Sequence, residues 1–216
     1  MAADEQADDV MPAGILAFAG AWTAMMIAMM TPSVLPALLL FRASAPVAGS
    51  RTTSAAIFGG GYFVAWGVIG LSVGSLRWIA GSALEPWYRP LGALALVLAG
   101  AYQLTRWKRA CLDHCRTPTH FFLQHWRPGP AGALLMGIHH GWYCVGCCAG
   151  LMVALITLGL MNPWWMAGIA LLVMAEKWAP GGDRLAAPAG FALMALGAGV
   201  ALGVVPISGS MQMGGM

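Results

Sequence analysis

The sequence predicts an all-α integral membrane protein, a bundle of about six transmembrane helices. Of its 216 residues, 59% are hydrophobic and only 9% are charged, whereas a soluble domain carries roughly 25% charged residues. The mean hydropathy of +0.73 leaves too little polar surface to cover a globule in water. Inside a bilayer the backbone must satisfy its own hydrogen bonds, which favours helices.

Six stretches of the chain are the candidate membrane-spanning helices. A bilayer core about 30 Å thick needs roughly 20 apolar residues in a helix. The stretches that meet or approach this length are residues 13–41, 54–76, 87–104, 131–160, 163–178 and 185–205. We therefore expect an acidic N-terminal tail at 1–12, a single six-helix domain at 13–206 and a methionine-rich C-terminal tail at 207–216.

The basic residues predict how these helices are oriented. Cytoplasmic loops are enriched in Lys and Arg, and nine basic residues fall in or beside alternate loops on one side of the bundle. That side is predicted to be cytoplasmic, with both termini outside, as in a multi-pass protein of a bacterial inner membrane. Three helices that start outside, followed by three that start inside, also suggest a 3+3 inverted repeat. The acidic N-terminus does not resemble a cleavable signal peptide.

The side chains best suited to chemistry lie together in the fourth predicted helix. On a helix that turns about 100° per residue, His140, Cys144 and Cys147 fall within an arc of roughly 60°. Cys148 lies beside them. Cysteine and histidine select zinc or copper, and added thioethers favour Cu(I). Buried cysteines are often only small apolar side chains, but three of them beside a membrane imidazole favour a metal site.

Two further groups supply candidate ligands. Met25 and Met29 share a face of the first predicted helix, at a depth similar to that of the cysteines, although such methionines are also common in packing. Cys111, His114 and Cys115 share a face if the third helix continues past the bilayer. Because a cytoplasmic location keeps thiols reduced, this group favours metal or redox chemistry over a structural disulfide. A solvated helix end with incidental cysteines is the alternative.

The spacing also predicts two features of the packing. A rise of 1.5 Å per residue puts Cys144 about 20 Å from the cytoplasmic start of the fourth helix, so contact with Cys115 would require the chain to re-enter the bundle. Glu176 and Lys177 are interpreted as an ion pair at the membrane interface, with the lysine stem reaching toward the headgroups.

Several motifs carry a resemblance to a known family. They are residues 28–33 (AMMTPS), 102–104 (YQL), 108–116 (KRACLDHCR), 141–148 (GWYCVGCC) and 176–177 (EK). With these motifs the chain resembles the bacterial family of predicted metal-binding integral membrane proteins. The resemblance implies metal binding and no demonstrated activity. His139 and Ala149 depart from the family pattern, which puts His139 in doubt as a shared ligand and leaves the cysteines untouched.

Three functions of different class remain open. The first is a membrane-embedded metal-binding protein that transports Cu(I), or less favourably zinc, or delivers it to a membrane or periplasmic metalloprotein. In this first function, the ion would be received or released by the group of Cys111, His114 and Cys115. The second is a transmembrane thiol-disulfide redox protein with Cys144 and Cys147 as its reactive pair. The third is a structural subunit of a larger membrane complex.

Other functions are not indicated. The sequence has no nucleophile elbow and no phosphate-binding loop, so an ordinary hydrolase or a nucleotide-driven pump is disfavoured and a non-enzymatic role is preferred. The net charge of +3 is small and the basic residues are scattered, which argues against nucleic acid as a partner. The lipid bilayer is the expected partner, and an oligomer stays open.

Overall fold

The computed structural model describes residues 2–44, 50–158 and 163–205. Within these ranges the α-helices are α1 (Ala2–Ser44), α2 (Arg51–Leu84), α3 (Tyr88–Gln103), α4 (Arg106–Arg116), α5 (Pro118–His125), α6 (Gly129–Leu158), α7 (Pro163–Trp178) and α8 (Ala186–Ala201). Short 3-10 turns, Glu85–Trp87 and Gly182–Leu185, precede α3 and α8. These described ranges contain no β-strand, which confirms the all-α prediction.

Among the described residues, four helical segments are long and apolar enough to cross a membrane. They are Gly14–Ser44, Arg51–Ala80, Gly129–Leu158 and Gly182–Ala201, and they coincide with the first, second, fourth and sixth predicted spans. The helices α3 and α7 have 16 residues each, fewer than the roughly 20 that a bilayer core requires. Spanning by these two helices and the location of the termini stay predictions. The predicted C-terminal tail lies outside the described residues, whereas α1 already begins at Ala2.

The contacts divide the chain into two compact units. The first consists of Met1–Ala83 and Pro118–Trp142, and the second of Leu84–Thr117 and Tyr143–Met216. The helix α6 therefore contributes its N-terminal part to the first unit and its C-terminal part to the second.

Aromatic packing forms the core of the first unit. Phe58, Tyr62 and Trp66 are buried along α2 because a spacing of four residues places them on one helical face. The rings of Phe41 in α1 and Phe122 in α5 pack on Phe58, with centroid distances of 4.9 and 5.6 Å. These contacts join α1, α2 and α5 in the first unit.

Glycines let α6 lie directly against α2 in the same unit. A Cβ on Gly137 would collide with the carbonyl oxygen of Phe58, and a Cβ on Gly61 would collide with that of Leu134. Close backbone approach at small residues is typical of helix pairs in membranes. No flexible side chain can move aside here, because the atoms that would be struck belong to the backbone.

We expect Gly137→Ala to reduce stability markedly. Overpacking typically costs about 1–3 kcal/mol, and the collision with the Phe58 backbone places this variant at or above the upper end of that range. The midpoint of thermal unfolding in detergent measures the effect. Gly60→Ala is the matched control, since no atom lies within 4 Å of its added Cβ. Equal midpoints for the two variants would contradict the close approach.

In the second unit, α3 lies along α8. A Cβ on Gly190 would approach the carbonyl oxygen of Gly100 to 2.8 Å, so the two backbones nearly touch. The guanidinium Nε of Arg89 donates to the carbonyl of Val200 at 3.0 Å. These contacts hold α3 against α8 along much of their length.

A helix break after α3 positions α4. The chain leaves α3 at Gln103, and Thr105 caps α4 by accepting a hydrogen bond from the Lys108 backbone N–H at 3.3 Å. A threonine at this position stabilises a new helix start. The expected continuation of the third helix is therefore replaced by a separate helix, which carries Cys111, His114 and Cys115 on one side.

Candidate metal centre

Three cysteines of α6 form a compact sulfur cluster in the second unit. The Sγ atoms of Cys144, Cys147 and Cys148 lie within 4.8 Å of one another, and all three side chains are buried. The Sγ of Cys147 is 3.5 Å from that of Cys148 and 3.2 Å from the carbonyl oxygen of Cys144. Helical spacing brings them together, because residues three and four apart share a face. We call these residues the sulfur cluster.

The second cysteine group meets the sulfur cluster through α4. The Sγ of Cys115 is 3.7 Å from that of Cys147. A Cβ on Gly146 would come within 2.6 Å of the Cys111 sulfur, so the absence of a side chain at Gly146 lets α4 lie against α6. The Tyr102 hydroxyl donates to the Gly146 carbonyl at 2.8 Å. The contact between Cys115 and the cysteines of α6, which was expected only if the chain re-entered the bundle, is therefore present in the structure.

The other two residues of this group are Cys111 and His114. Burial raises the pKa of the Cys111 thiol, so its proton must be removed against that cost before it binds a metal. The His114 ring stacks on Tyr143 with centroids 4.1 Å apart, and its Nδ1 donates to the Ala110 carbonyl at 2.8 Å. Metal-binding histidines commonly make such a hydrogen bond through the other ring nitrogen. Metal binding by His114 nevertheless stays a prediction.

An ion pair is buried in the same unit. The Nζ of Lys108 lies 2.6 and 2.7 Å from the two carboxylate oxygens of Glu176 and also donates to the amide oxygen of Gln103. Lys108 is 0% exposed and Glu176 is 1% exposed. The guanidinium of Arg116 donates to the carbonyls of Glu176 and Ala179. Since a buried charge is stable only when paired and hydrogen-bonded, this network ties α3, α4 and α7 together.

Lys177 brings a positive charge to the sulfur cluster. Its Nζ lies 3.0 Å from the Sγ of Cys144, and its side chain is buried. Consecutive helical residues point about 100° apart, so Glu176 faces Lys108 while Lys177 faces Cys144. The interpretation of Glu176 and Lys177 as an ion pair with each other at the interface is wrong for this reason. An ammonium next to a cysteine favours the thiolate, which is the form that binds metals.

We expect Lys177→Met to slow alkylation of Cys144, because the ammonium that stabilises its thiolate is removed. A roughly tenfold decrease in the rate is expected if the contact supplies about 1.4 kcal/mol of thiolate stabilisation. Timed alkylation followed by peptide mass spectrometry measures the rate at Cys144. Lys177→Arg retains the charge and is the control. Equal rates in the wild type and in Lys177→Met would contradict the role given to this lysine.

Sequence reasoning did not identify several polar residues of this unit. Tyr102, Gln103 and Lys108 belong to motifs that carry the family resemblance, yet their spacing alone indicates no metal chemistry. The one feature of the sequence that could have identified them is that these polar residues lie at the end of an apolar stretch. Gln103 is buried, and its Nε2 has no hydrogen-bond partner among the described residues.

The remaining predicted ligands lie in the first unit. His140 is buried, with ring centroids 5.0 to 6.1 Å from those of Phe58, Tyr62 and Phe121. Met29 is buried and Met25 is half-buried in α1. Metal contact by His140, Met25 and Met29 stays a prediction.

Comparison with known proteins indicates which metal the chain binds. A model of the PpoB2 copper chaperone family matches residues 19–200. This range includes the sulfur cluster, α4 and Lys177. No curated protein and no solved structure matches the chain. The match agrees with the metal binding that the family resemblance implied. The family description and the three neighbouring thiols together suggest copper as the metal. Because it covers most of the sequence, this chain belongs to the PpoB2 family of copper chaperones.

Proposed function

We propose that the protein is a membrane-embedded copper chaperone that holds Cu(I) on the sulfur cluster and hands it on through Cys115. The observation that carries the proposal is the group of three buried sulfurs within 4.8 Å of one another, with the Cys115 sulfur 3.7 Å from that of Cys147. Thiolate sulfur is the soft ligand that Cu(I) prefers. Copper is the cargo here, and a membrane or periplasmic metalloprotein is its destination.

Cu(I) fits this donor set better than zinc does. Structural zinc almost always takes four ligands in a tetrahedron, and the cluster offers three cysteine sulfurs within 4.8 Å of one another. Soft, sulfur-rich sites select Cu(I). The positive charge of Lys177, 3.0 Å from the Cys144 sulfur, would offset the negative charge of a copper complex with two thiolates. His140, Met25 and Met29 remain predicted ligands, and the proposal does not require them.

Large exposed apolar side chains support the membrane location. Ile79 is 80% exposed, Leu171 65% and Phe191 61%, and these are three of many. In a bilayer such side chains would contact lipid, so their apolar surface would not be exposed to water. Together with the four helices that are long enough to cross a bilayer, they support a multi-pass protein. The distribution of Lys and Arg supports the bacterial inner membrane with both termini outside the cytoplasm.

The route through Cys115 is a ligand exchange. A Cu–S bond forms to the Cys115 thiolate while a Cu–S bond within the sulfur cluster breaks, and the metal stays Cu(I) throughout. The Cys115 thiol releases a proton when it binds, and the displaced thiolate of the sulfur cluster takes up a proton in exchange. Metal–thiolate bonds are about 2.3 Å long, so an ion bound to Cys147 needs only a small displacement to reach a sulfur 3.7 Å away.

Release kinetics test this route. Copper-loaded protein in detergent is mixed anaerobically with excess Cu(I) chelator, and the coloured chelate is followed with time. We expect Cys115→Ser to keep the copper content of the wild type and to release the ion about tenfold more slowly, as a barrier higher by about 1.4 kcal/mol would require. Cys111→Ser is the matched control on the same helix. Unchanged release from Cys115→Ser would overturn the route.

The sulfur distances also favour a second function, thiol-disulfide exchange. None of the five cysteines is in a disulfide, and the Sγ of Cys147 lies 3.7 Å from that of Cys115. A disulfide requires a separation of about 2.05 Å, which a modest movement would give. Thiol labelling of protein taken from quenched cells, denatured in the presence of a Cu(I) chelator, separates the two functions. Five labelled thiols support copper binding, whereas loss of two labels that reductant restores supports redox exchange.

A further inference from the structure

A second pair of metal-ligating side chains lies in the first unit. The rings of His125 at the end of α5 and His139 in α6 are 4.5 Å apart between centroids and nearly perpendicular, at 81°. Both side chains are half-buried, so neither ring is fully enclosed by the protein. The adjacent His140 is turned by about 100° along the helix and packs near Phe58 and Tyr62.

Hydrogen bonding prepares His125 for metal binding. Its Nδ1 donates to the carbonyl of Phe121 at 3.1 Å, so the proton is on Nδ1 and the lone pair on Nε2. Among the described residues, no hydrogen bond uses Nε2 of His125. Histidines that bind metals commonly donate the second ring nitrogen to a backbone carbonyl, which fixes the tautomer and the ring orientation.

Phe121 holds both imidazoles in place. It is fully buried, stacks on His125 at a centroid distance of 4.9 Å, and contacts His139 edge-on at 5.7 Å. The neighbouring His120 differs, because its Nε2 accepts a hydrogen bond from the Gln124 amide at 3.2 Å. The His125 lone pair is thus presented beside His139, whereas the His120 lone pair is already used.

We propose that His125 and His139 bind a divalent transition-metal ion, Cu²⁺ or Zn²⁺, through one imidazole nitrogen each, with water completing the coordination. Imidazole suits these borderline ions, whereas the thiolates of the sulfur cluster suit Cu(I). The protein would then carry two sites of different ligand chemistry, one with nitrogen ligands in the first unit and one with sulfur ligands in the second. This site does not depend on the function proposed for the cysteines.

Cu²⁺ binding in a protein without thiols tests the proposal. In the full chain, purified without a histidine tag, serine replaces Cys111, Cys115, Cys144, Cys147 and Cys148, so that no thiol binds or reduces the ion. One equivalent of Cu²⁺ with nitrogen couplings in its electron paramagnetic resonance spectrum is expected. His125→Phe and His139→Phe keep the aromatic packing and should each weaken binding at least tenfold. His120→Phe should bind as the parent does.

A second measurement tests the site in the protein that retains its cysteines, in case the cysteine-free protein does not fold. The zinc content of the otherwise unchanged protein should fall by one equivalent in His125→Phe and in His139→Phe, with the Cu(I) content of the sulfur cluster unaltered. Binding without nitrogen couplings, or equal binding by parent, His125→Phe and His139→Phe, would overturn the second site. Neither result would bear on the sulfur cluster, so the two proposals fail separately.

Discussion

Cys147→Ser is expected to weaken Cu(I) binding by about a hundredfold or more. Cys147 is the centre of the site, since its sulfur is 3.5 Å from that of Cys148 and 3.7 Å from that of Cys115. Serine is nearly the same size but offers a hard oxygen in place of a soft sulfur. Loss of a residue that only supports a metal ligand already costs about 10–100-fold in affinity, so loss of a central ligand should cost at least the upper value.

Anaerobic competition against a Cu(I) chelator measures this affinity. Cys111→Ser is the matched control. Cys111 in α4 lies against Gly146 of α6, the helix that carries the sulfur cluster, but it does not belong to that cluster. The control should change the affinity by less than about threefold, which corresponds to less than 1 kcal/mol. An affinity unchanged by Cys147→Ser, or lowered equally by both substitutions, would contradict the assignment of the ligands.

Glu176→Gln is expected to destabilise the fold more than any surface substitution. It removes the carboxylate that lies 2.6 and 2.7 Å from the Lys108 ammonium and leaves a fully buried positive charge. Removing one partner of a buried ion pair costs about 3–5 kcal/mol, because the other charge is left uncompensated. Denaturation in detergent should show this loss as a lower midpoint.

Two comparisons isolate the cause of that loss. Asp113→Asn neutralises an exposed carboxylate of α4 and should change stability by no more than about 0.5 kcal/mol. A Lys108→Met, Glu176→Leu double variant removes both charges and should recover much of the stability lost by Glu176→Gln, since apolar replacement of a buried pair is often neutral. A double variant as unstable as the single one would show that the uncompensated charge is not the cause.

Local spacing was enough to predict the sulfur cluster. The cluster depends only on positions three and four apart in one helix, and helical geometry fixes which faces such residues share. The same geometry predicted that Cys111, His114 and Cys115 share a side. It could not predict the helix break at Thr105, because a capping threonine also occurs within helices and loops, and that break is what turns α4 back against α6.

The charged residues were beyond sequence reasoning for a different reason. Lys108 and Glu176 are 68 residues apart, so their pairing depends on how α4 packs against α7, and no local pattern encodes that packing. Glu176 and Lys177 are adjacent in sequence and therefore suggested a pair. The helix turn separates them, and each finds its partner on another helix. Adjacent positions in a helix therefore gave a wrong prediction of contact, whereas positions three or four apart gave a correct one.

X-ray absorption spectroscopy of the copper-loaded protein tests the central claim most directly. We expect Cu(I) with two or three sulfur neighbours at about 2.3 Å, the usual metal–thiolate distance. The triple serine variant of Cys144, Cys147 and Cys148 should lose both the copper and the sulfur signal. A first shell of nitrogen or oxygen alone, or a copper–sulfur signal retained by the triple variant, would contradict copper binding at the sulfur cluster.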